Sequence, residues 1–171
     1  MLIYITGASG SGKTTLLKQL PMRCYDLDDL YIANWKIHRK PTTVQKGVQE
    51  DVAKLIAKHK DLVFIGMQGK EDLPFTPDAV YILVRKDYDN YYRQKLVRDL
   101  HLLCDNKKDV EDVFAKKPFE EFRLHFWSNS VVNMKSLDEF KESVEKTNRL
   151  FKKDFPKALF LTAKEIIARL R

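Results

Sequence analysis

The chain has only two cysteines, Cys24 and Cys104, far apart and with no Cys-x-x-Cys pair or histidine at a metal-ligand spacing. Neither a disulfide framework nor a zinc site organises such a chain, and both thiols read as buried. Long apolar runs are missing as well. No stretch approaches the roughly 18 residues that a membrane helix needs, and Met1-Leu2-Ile3-Tyr4-Ile5 carries no basic leader before polar Thr6. The expectation is a soluble, cytoplasmic protein without a membrane partner. There is no internal repeat, low-complexity tract or Gly/Ser/Pro-rich linker at which to divide the chain. A single domain spanning 1–171 is therefore the natural reading. His59, His101 and His125 have no partner spacing and read as structural or surface residues. No signal of oligomeric state is present.

What the chain does have is 44% hydrophobic residues, enough for a sizeable core, and a basic balance of 31 Lys+Arg against 24 Asp+Glu, formally +7. That bias favours anionic partners such as nucleotides, phosphorylated metabolites or nucleic acid. Short apolar runs at Leu2–Ile5, Arg23–Leu27, Leu62–Ile65, Ala79–Val84 and Ala158–Leu161 read as buried strands, with helical patterns between them. The alternation predicts an α/β fold around a largely parallel sheet.

The clearest helix follows Pro41, with Val44, Val48, Val52, Leu55 and Ile56 on one stripe, Thr42 or Thr43 as N-cap, and an end near Lys60. Tyr92, Leu96, Leu100 and Leu103 form a second stripe. A capping box at Ser136-Leu137-Asp138-Glu139 opens a third, with Leu137, Phe140, Val144 and Phe151 inward. Pro118 is placed to start another helix, in which Phe119, Phe122 and Phe126 share helical spacing. Ile166, Ile167 and Leu170 in 163–171 are expected to pack back on the sheet.

Gly7-Ala8-Ser9-Gly10-Ser11-Gly12-Lys13-Thr14 fits G-x-x-x-x-G-K-[ST], directly after an apolar strand and directly before a helix beginning near Thr14. Glycines let backbone N–H groups curl round an oxyanion without Cβ clashes, and a helix N-terminus adds partial positive charge. The pattern predicts ATP phosphates held by Gly7 through Thr15, Lys13 reaching the β and γ phosphates, and the Thr14 hydroxyl as a Mg²⁺ ligand. Ser11 and Thr15 are further hydrogen-bond donors. A second feature is Tyr25-Asp26-Leu27-Asp28-Asp29-Leu30-Tyr31, where strand alternation would put Asp26 and Asp28 on one side and leave Asp29 to cap the next helix.

A phosphate loop at the start, an acidic cluster after the second strand and five short strands together resemble the nucleoside, nucleotide and shikimate kinase group. The resemblance implies a three-layer P-loop NTPase fold with a five-stranded parallel sheet in the order 2-3-1-4-5. It further implies an acceptor segment over 28–61 and a helical lid and insert over 85–157, between strands 4 and 5. Its cofactors are ATP and Mg²⁺, and its reaction moves the γ-phosphoryl to a small acceptor: a nucleoside, a nucleotide or a phosphorylated metabolite. By the same resemblance Asp26 is the metal-side carboxylate and Asp28 the acceptor-positioning residue or general base. Gly66-Met67-Gln68-Gly69 resembles the glycine-bearing loop beside the acceptor. Arg93 and Arg98 stand where these kinases place lid arginines, with Arg85 and Arg123 in reserve. On one helix Arg93 and Arg98 are about 140° apart, so at least one is peripheral.

Other phosphate-loop classes fit less well. Asp105-Asn106-Lys107-Lys108 does not read Asn-Lys-x-Asp, which disfavours GTP, and the third strand lacks the Asp-Glu ending of motor and AAA+ ATPases. Between Asn34 and Lys60, seven Lys/Arg stand against Glu50 and Asp51, a net of +5 that suggests an anionic acceptor. Trp35 and His38 are candidates to stack on a base, Trp35 alternatively joining the core. Two alternatives stay open: a polynucleotide kinase acting on a nucleic-acid hydroxyl, and a nucleotide-binding switch or accessory ATPase without an acceptor.

Overall fold

In the computed structural model, which describes residues 1–103 and 136–171, side chains of 99–103 excepted, five strands form a single parallel sheet. β1 (Leu2–Thr6), β2 (Cys24–Asp26), β3 (Leu62–Ile65), β4 (Ala79–Leu83) and β5 (Leu159–Leu161) lie in the order β2-β3-β1-β4-β5. The α/β class and the strand order are as expected. The described helices are α1 (Lys13–Leu17), α2 (Leu27–His38), α3 (Pro41–Lys58), α4 (Tyr88–Leu103), α5 (Leu137–Asp154) and α6 (Ala163–Arg169). Phe114, Pro118, Phe119, Phe122, Arg123, His125, Phe126, Trp127, Cys104 and the 105–108 segment lie outside the described residues, as do the side chains of Leu100, His101 and Leu103.

By contacts the chain divides into two compact units, Met1–Val84 with Thr147–Arg171, and Arg85–Lys146. The first contains the sheet. Alternation along its central strands sends Tyr4, Leu62, Phe64 and Ile82 to one face, where Val44, Val48 and Val52 of α3 and Phe151 of α5 cover them. Ile3, Ile5, Val63, Ile65, Tyr81 and Leu83 point to the other face, closed by Leu16 of α1 and Ile166 of α6, with Ile167 and Leu170 packed beside them. Burial on both faces is what a parallel sheet requires, and it explains why these strands read as continuous apolar runs. Phe64 lies 4.6 Å, centroid to centroid, from Phe75 of the β3–β4 connection, and Tyr4 lies 5.8 Å from Phe155. In the second unit Phe140 of α5 stacks on Tyr92 of α4 at 4.8 Å and meets Tyr91 edge-on at 4.9 Å. The Ser136 hydroxyl accepts from the Glu139 N–H at 3.1 Å, the first half of the expected capping box.

Three local readings change. α3 is capped at Lys40 rather than at Thr42 or Thr43, because Pro41 occupies the first helical position, where its fixed φ and missing N–H cost nothing. Thr43 instead donates to the Lys40 carbonyl at 2.9 Å, and the helix ends at Lys58, two residues early. Cys24 is half-buried; its thiol, donating to Met22 O at 3.1 Å, is pushed up to about 11 by desolvation.

α2 and α3 meet at a small-residue contact. Buried Asn34 donates from Nδ2 to Leu30 O and to Asp51 Oδ2, both at 3.0 Å, directly over Gly47, where an added Cβ would run into the Asn34 amide oxygen. Gly47→Ala should therefore cost about 1–3 kcal/mol in urea unfolding by forcing the amide off its partners. Removing the amide as well, in Asn34→Ala/Gly47→Ala, should give a loss smaller than the sum of the two single losses; strict additivity would show that the clash is not the cause.

Candidate functional site

The sheet order reverses at β1, whose neighbours are β3 on one side and β4 on the other. In open α/β sheets the crevice at the carboxyl ends of such strands is where ligands bind. Three segments of the first unit leave the sheet there: 7–12 after β1, the β2–α2 junction, and 66–69 after β3.

The first segment turns on its glycines. Gly7, Gly10 and Gly12 have φ of 151°, 77° and 99°, the left-handed range that costs any other residue strain. Gly7 is confined in a second way, since a Cβ there would lie 2.7 Å from the Leu83 carbonyl of β4, whereas around Gly12 there is open space. Gly12 caps α1 in that conformation, and the Ser11 N–H donates back to Ala8 O at 3.1 Å. The Lys13 ammonium folds over the loop, donating to Gly7 O at 2.6 Å and Ala8 O at 3.2 Å. Ser11 is buried, and its hydroxyl has no hydrogen-bond partner among the described residues. A cation, a helix start and an orphan hydroxyl thus converge on one glycine-lined turn, the ingredients of an oxyanion cradle. Ala8 is buried within it, Ser9 is half-buried, and Thr14 and Thr15 are exposed.

At the β2–α2 junction the strand ends at Asp26, not at Leu27, and this changes the acidic cluster. Asp26 is the helix cap, its Oδ1 accepting from the Asp28 N–H at 3.0 Å, so the cap assigned to Asp29 is displaced by three residues. Asp28 lies in the first turn of α2, not on a strand. Its proximity to Asp26 comes from the cap geometry rather than from strand alternation. Asp26 Oδ2 accepts from the Thr14 hydroxyl at 3.3 Å, so one expected metal ligand touches the other. Two oxygens suit Mg²⁺, which takes one or two protein ligands and fills the rest of its shell with water and phosphate. No larger cluster of metal-binding side chains occurs among the described residues.

The third segment supplies a residue that sequence reasoning missed. Gln68 donates from Nε2 to Asp28 Oδ1 at 3.3 Å, while its Oε1 accepts from the Met67 N–H at 3.0 Å and its carbonyl from the buried Tyr4 hydroxyl at 3.0 Å. A side chain at Gly66 would strike the Gln68 amide. Asp28 is thereby tied through Gln68 to the central strand. The Gly-x-x-Gly spacing was the available signal, and it pointed to the glycines rather than to the amide between them.

Arg93 and Arg98 lie on α4, in the second unit. Arg93 pairs with Asp89 at 3.4 Å and Arg98 is exposed. Arg85 is held by both oxygens of Asp87, at 2.9 and 2.6 Å, by Gln94 at 2.7 Å, and over the Tyr91 ring. Trp35 and His38 are exposed, so Trp35 is not a core residue. A cleft of about 870 Å³ between 73–81 and 154–159 contains none of the loop residues or aspartates above.

Desolvation, and then the negative charges of Asp28 and Asp29, raise the Asp26 carboxyl above its ordinary value. A raised folded-state pKa favours the fold at low pH, and that stability is lost as pH climbs from the ordinary value through the raised one. Asp26→Asn keeps the cap and removes the charge. Its Tm should exceed that of the parent at neutral pH, and the gap should close as pH falls through the carboxylate range. A gap that is independent of pH would mean that charge at Asp26 does not strain the fold.

No family model and no curated protein matches the chain. Among solved structures it is similar to the crystal structure of TT1252 from Thermus thermophilus, at 16% identity over 85% of this chain and 96% of that one, with a TM-score of 0.46. A likeness of that degree carries no argument about function.

Proposed function

We propose that this chain is an ATP-dependent phosphotransferase with a P-loop NTPase fold, moving the γ-phosphoryl of Mg-ATP to a hydroxyl of an anionic acceptor. The observation that carries the reading is the 7–14 loop. Three glycines at positive φ shape a turn whose Gly7 and Ala8 carbonyls accept from the Lys13 ammonium at the start of α1, beside a buried serine hydroxyl that has no partner among the described residues. Such a cradle suits the β and γ phosphates of a nucleotide.

The junction beside it favours transfer over simple binding. Thr14 and Asp26 offer a hard-cation pair, and Mg²⁺ held there would neutralise phosphate charge. Asp28, exposed and steadied by Gln68, is the base. The acceptor oxygen attacks the γ-phosphorus, the bond from that phosphorus to the β–γ bridging oxygen of ATP breaks, and the acceptor proton passes to Asp28, leaving ADP. Lys13 stabilises charge on the moving group.

Lys13→Ala should lower kcat by on the order of a hundredfold or more, with unfolding by circular dichroism close to that of the parent. Asp28→Asn should lower kcat with little change in ATP affinity, read by nucleotide titration and by transfer from labelled ATP. Full turnover in Lys13→Ala would rule out the kinase reading.

A further inference from the structure

The outer face of α2 starts at the proposed base and leads away from it. At about 100° per residue, Asp28, Ile32, Trp35 and Arg39 fall within an arc of about 60°. All four are exposed, Ile32 at 54% and Trp35 at 50%. A face turned about 120° from it carries Leu27, Leu30, Tyr31 and Asn34, which are buried or half-buried against the rest of the unit. α2 has its apolar contact elsewhere, so Ile32 and Trp35 form a separate exposed apolar pair between Asp28 and Arg39, while Ile37, 74% exposed, lies on another face. Basic side chains flank the pair at Lys36, Arg39 and Lys40, all exposed.

Arg39 adds an independent observation. It is the only described non-glycine residue at positive φ, 54°, closing α2 through its N–H to the Trp35 carbonyl at 3.1 Å. Helices commonly use glycine in this left-handed conformation, and an arginine there carries strain that its side chain does not relieve by any contact described. Backbone economy alone would put glycine at 39; a guanidinium at that point needs a reason outside the helix.

We propose, resting on the kinase reading, that this outer face is a track for single-stranded nucleic acid, whose terminal hydroxyl lies at Asp28 and is the phosphoryl acceptor. Along the helix Trp35 is about 10 Å and Arg39 about 16 Å from Asp28. With a rise of about 3.4 Å per stacked nucleotide, Arg39 lies several nucleotides from the reacting end, beyond what a mononucleotide spans. Ile32 and Trp35 offer a sequence-tolerant stacking surface, while Lys36, Arg39 and Lys40 meet backbone phosphates. The acceptor class is thus an oligonucleotide end, not a free nucleoside or a small phosphorylated metabolite.

The test uses the full chain carrying Trp127→Phe, so that Trp35 is the sole tryptophan. It is titrated without ATP against oligonucleotides of one, two, four and eight residues with hydroxyls at both ends, in DNA and RNA arms, at two salt concentrations. Expected are quenching of Trp35, an affinity that rises with length beyond two residues, and a fall with salt. In the same background Trp35→Ala, read by anisotropy of a labelled octamer, should weaken binding roughly ten- to a hundredfold. Arg39→Gly should keep or raise Tm, because glycine suits that φ, while weakening binding and lowering the salt slope by about 1. Equal affinity for one and eight residues, or octamer binding unchanged in Arg39→Gly, overturns the track. A parallel ATP titration and a transfer assay separate the two readings. ATP bound, and phosphate transferred to a small acceptor but not to the octamer, sinks the track alone. Octamer bound along Trp35 with no transfer from ATP to any acceptor sinks the kinase reading, and with it the placement of the strand's end at Asp28.

Discussion

The exit from β1 is the tightest point in the first unit. At Gly7 the chain leaves the central strand at φ 151° and passes so close to the Leu83 carbonyl of β4 that no side chain fits. β1 is buried on both faces, by α3 on one side and by α1 and α6 on the other, so it has no freedom to shift and relieve that approach. The loop is therefore anchored to the two innermost strands of the sheet. Lys13 folds over the Gly7 and Ala8 carbonyls, Leu16 of α1 enters the core three residues on, and the cradle keeps its shape because the sheet beneath it cannot move.

The same rigidity underlies the acidic corner. Three carboxylates, at 26, 28 and 29, are gathered at the head of α2, where the helix N-terminus tolerates negative charge. Asp26 still suffers from it: desolvation and its neighbours oppose its ionisation, and only the Asp28 N–H and the Thr14 hydroxyl answer. A chain selected for stability alone would carry asparagine at this cap. Retaining charge where charge is costly is understandable if a cation is to be shared with Thr14, a common exchange of stability for function. Gln68 serves the same corner from beneath, joining Asp28 to the hydroxyl-bearing end of buried Tyr4. Burial holds the Tyr4 phenol protonated well past its ordinary range, so its hydroxyl stays a donor to the Gln68 carbonyl.

α2 joins this corner to the surface. Its inner face is spent on the core and on Asn34, which bridges to α3 over Gly47, and its outer face begins with a carboxylate and ends with a strained arginine. A helix anchored at one end by a cap that also faces Thr14, and along one side by packing, holds the side chains of its other face at fixed spacings. The proposed track depends on that fixed spacing.

Much of this was legible in the chain itself. The apolar runs at 2–5, 62–65 and 79–84 marked strands because a doubly covered parallel sheet leaves no polar face to interrupt them, and the Val44–Val48–Val52 stripe marked α3 by its period. The 7–14 pattern was legible because only glycine tolerates the φ values the turn needs. Contacts between distant residues left no such trace. That Asp26 rather than Asp29 caps α2 depends on where β2 stops, and β2 stops where its pairing with β3 ends at Ile65. That Gln68 reaches Asp28 across forty residues, that Trp35 faces outward and that Arg39 sits at positive φ follow from how α2 lies on α3 and the sheet. Periodicity and local steric limits are written along the chain; which side chains meet is decided by packing, because it depends on elements that sequence separates and the sheet brings together.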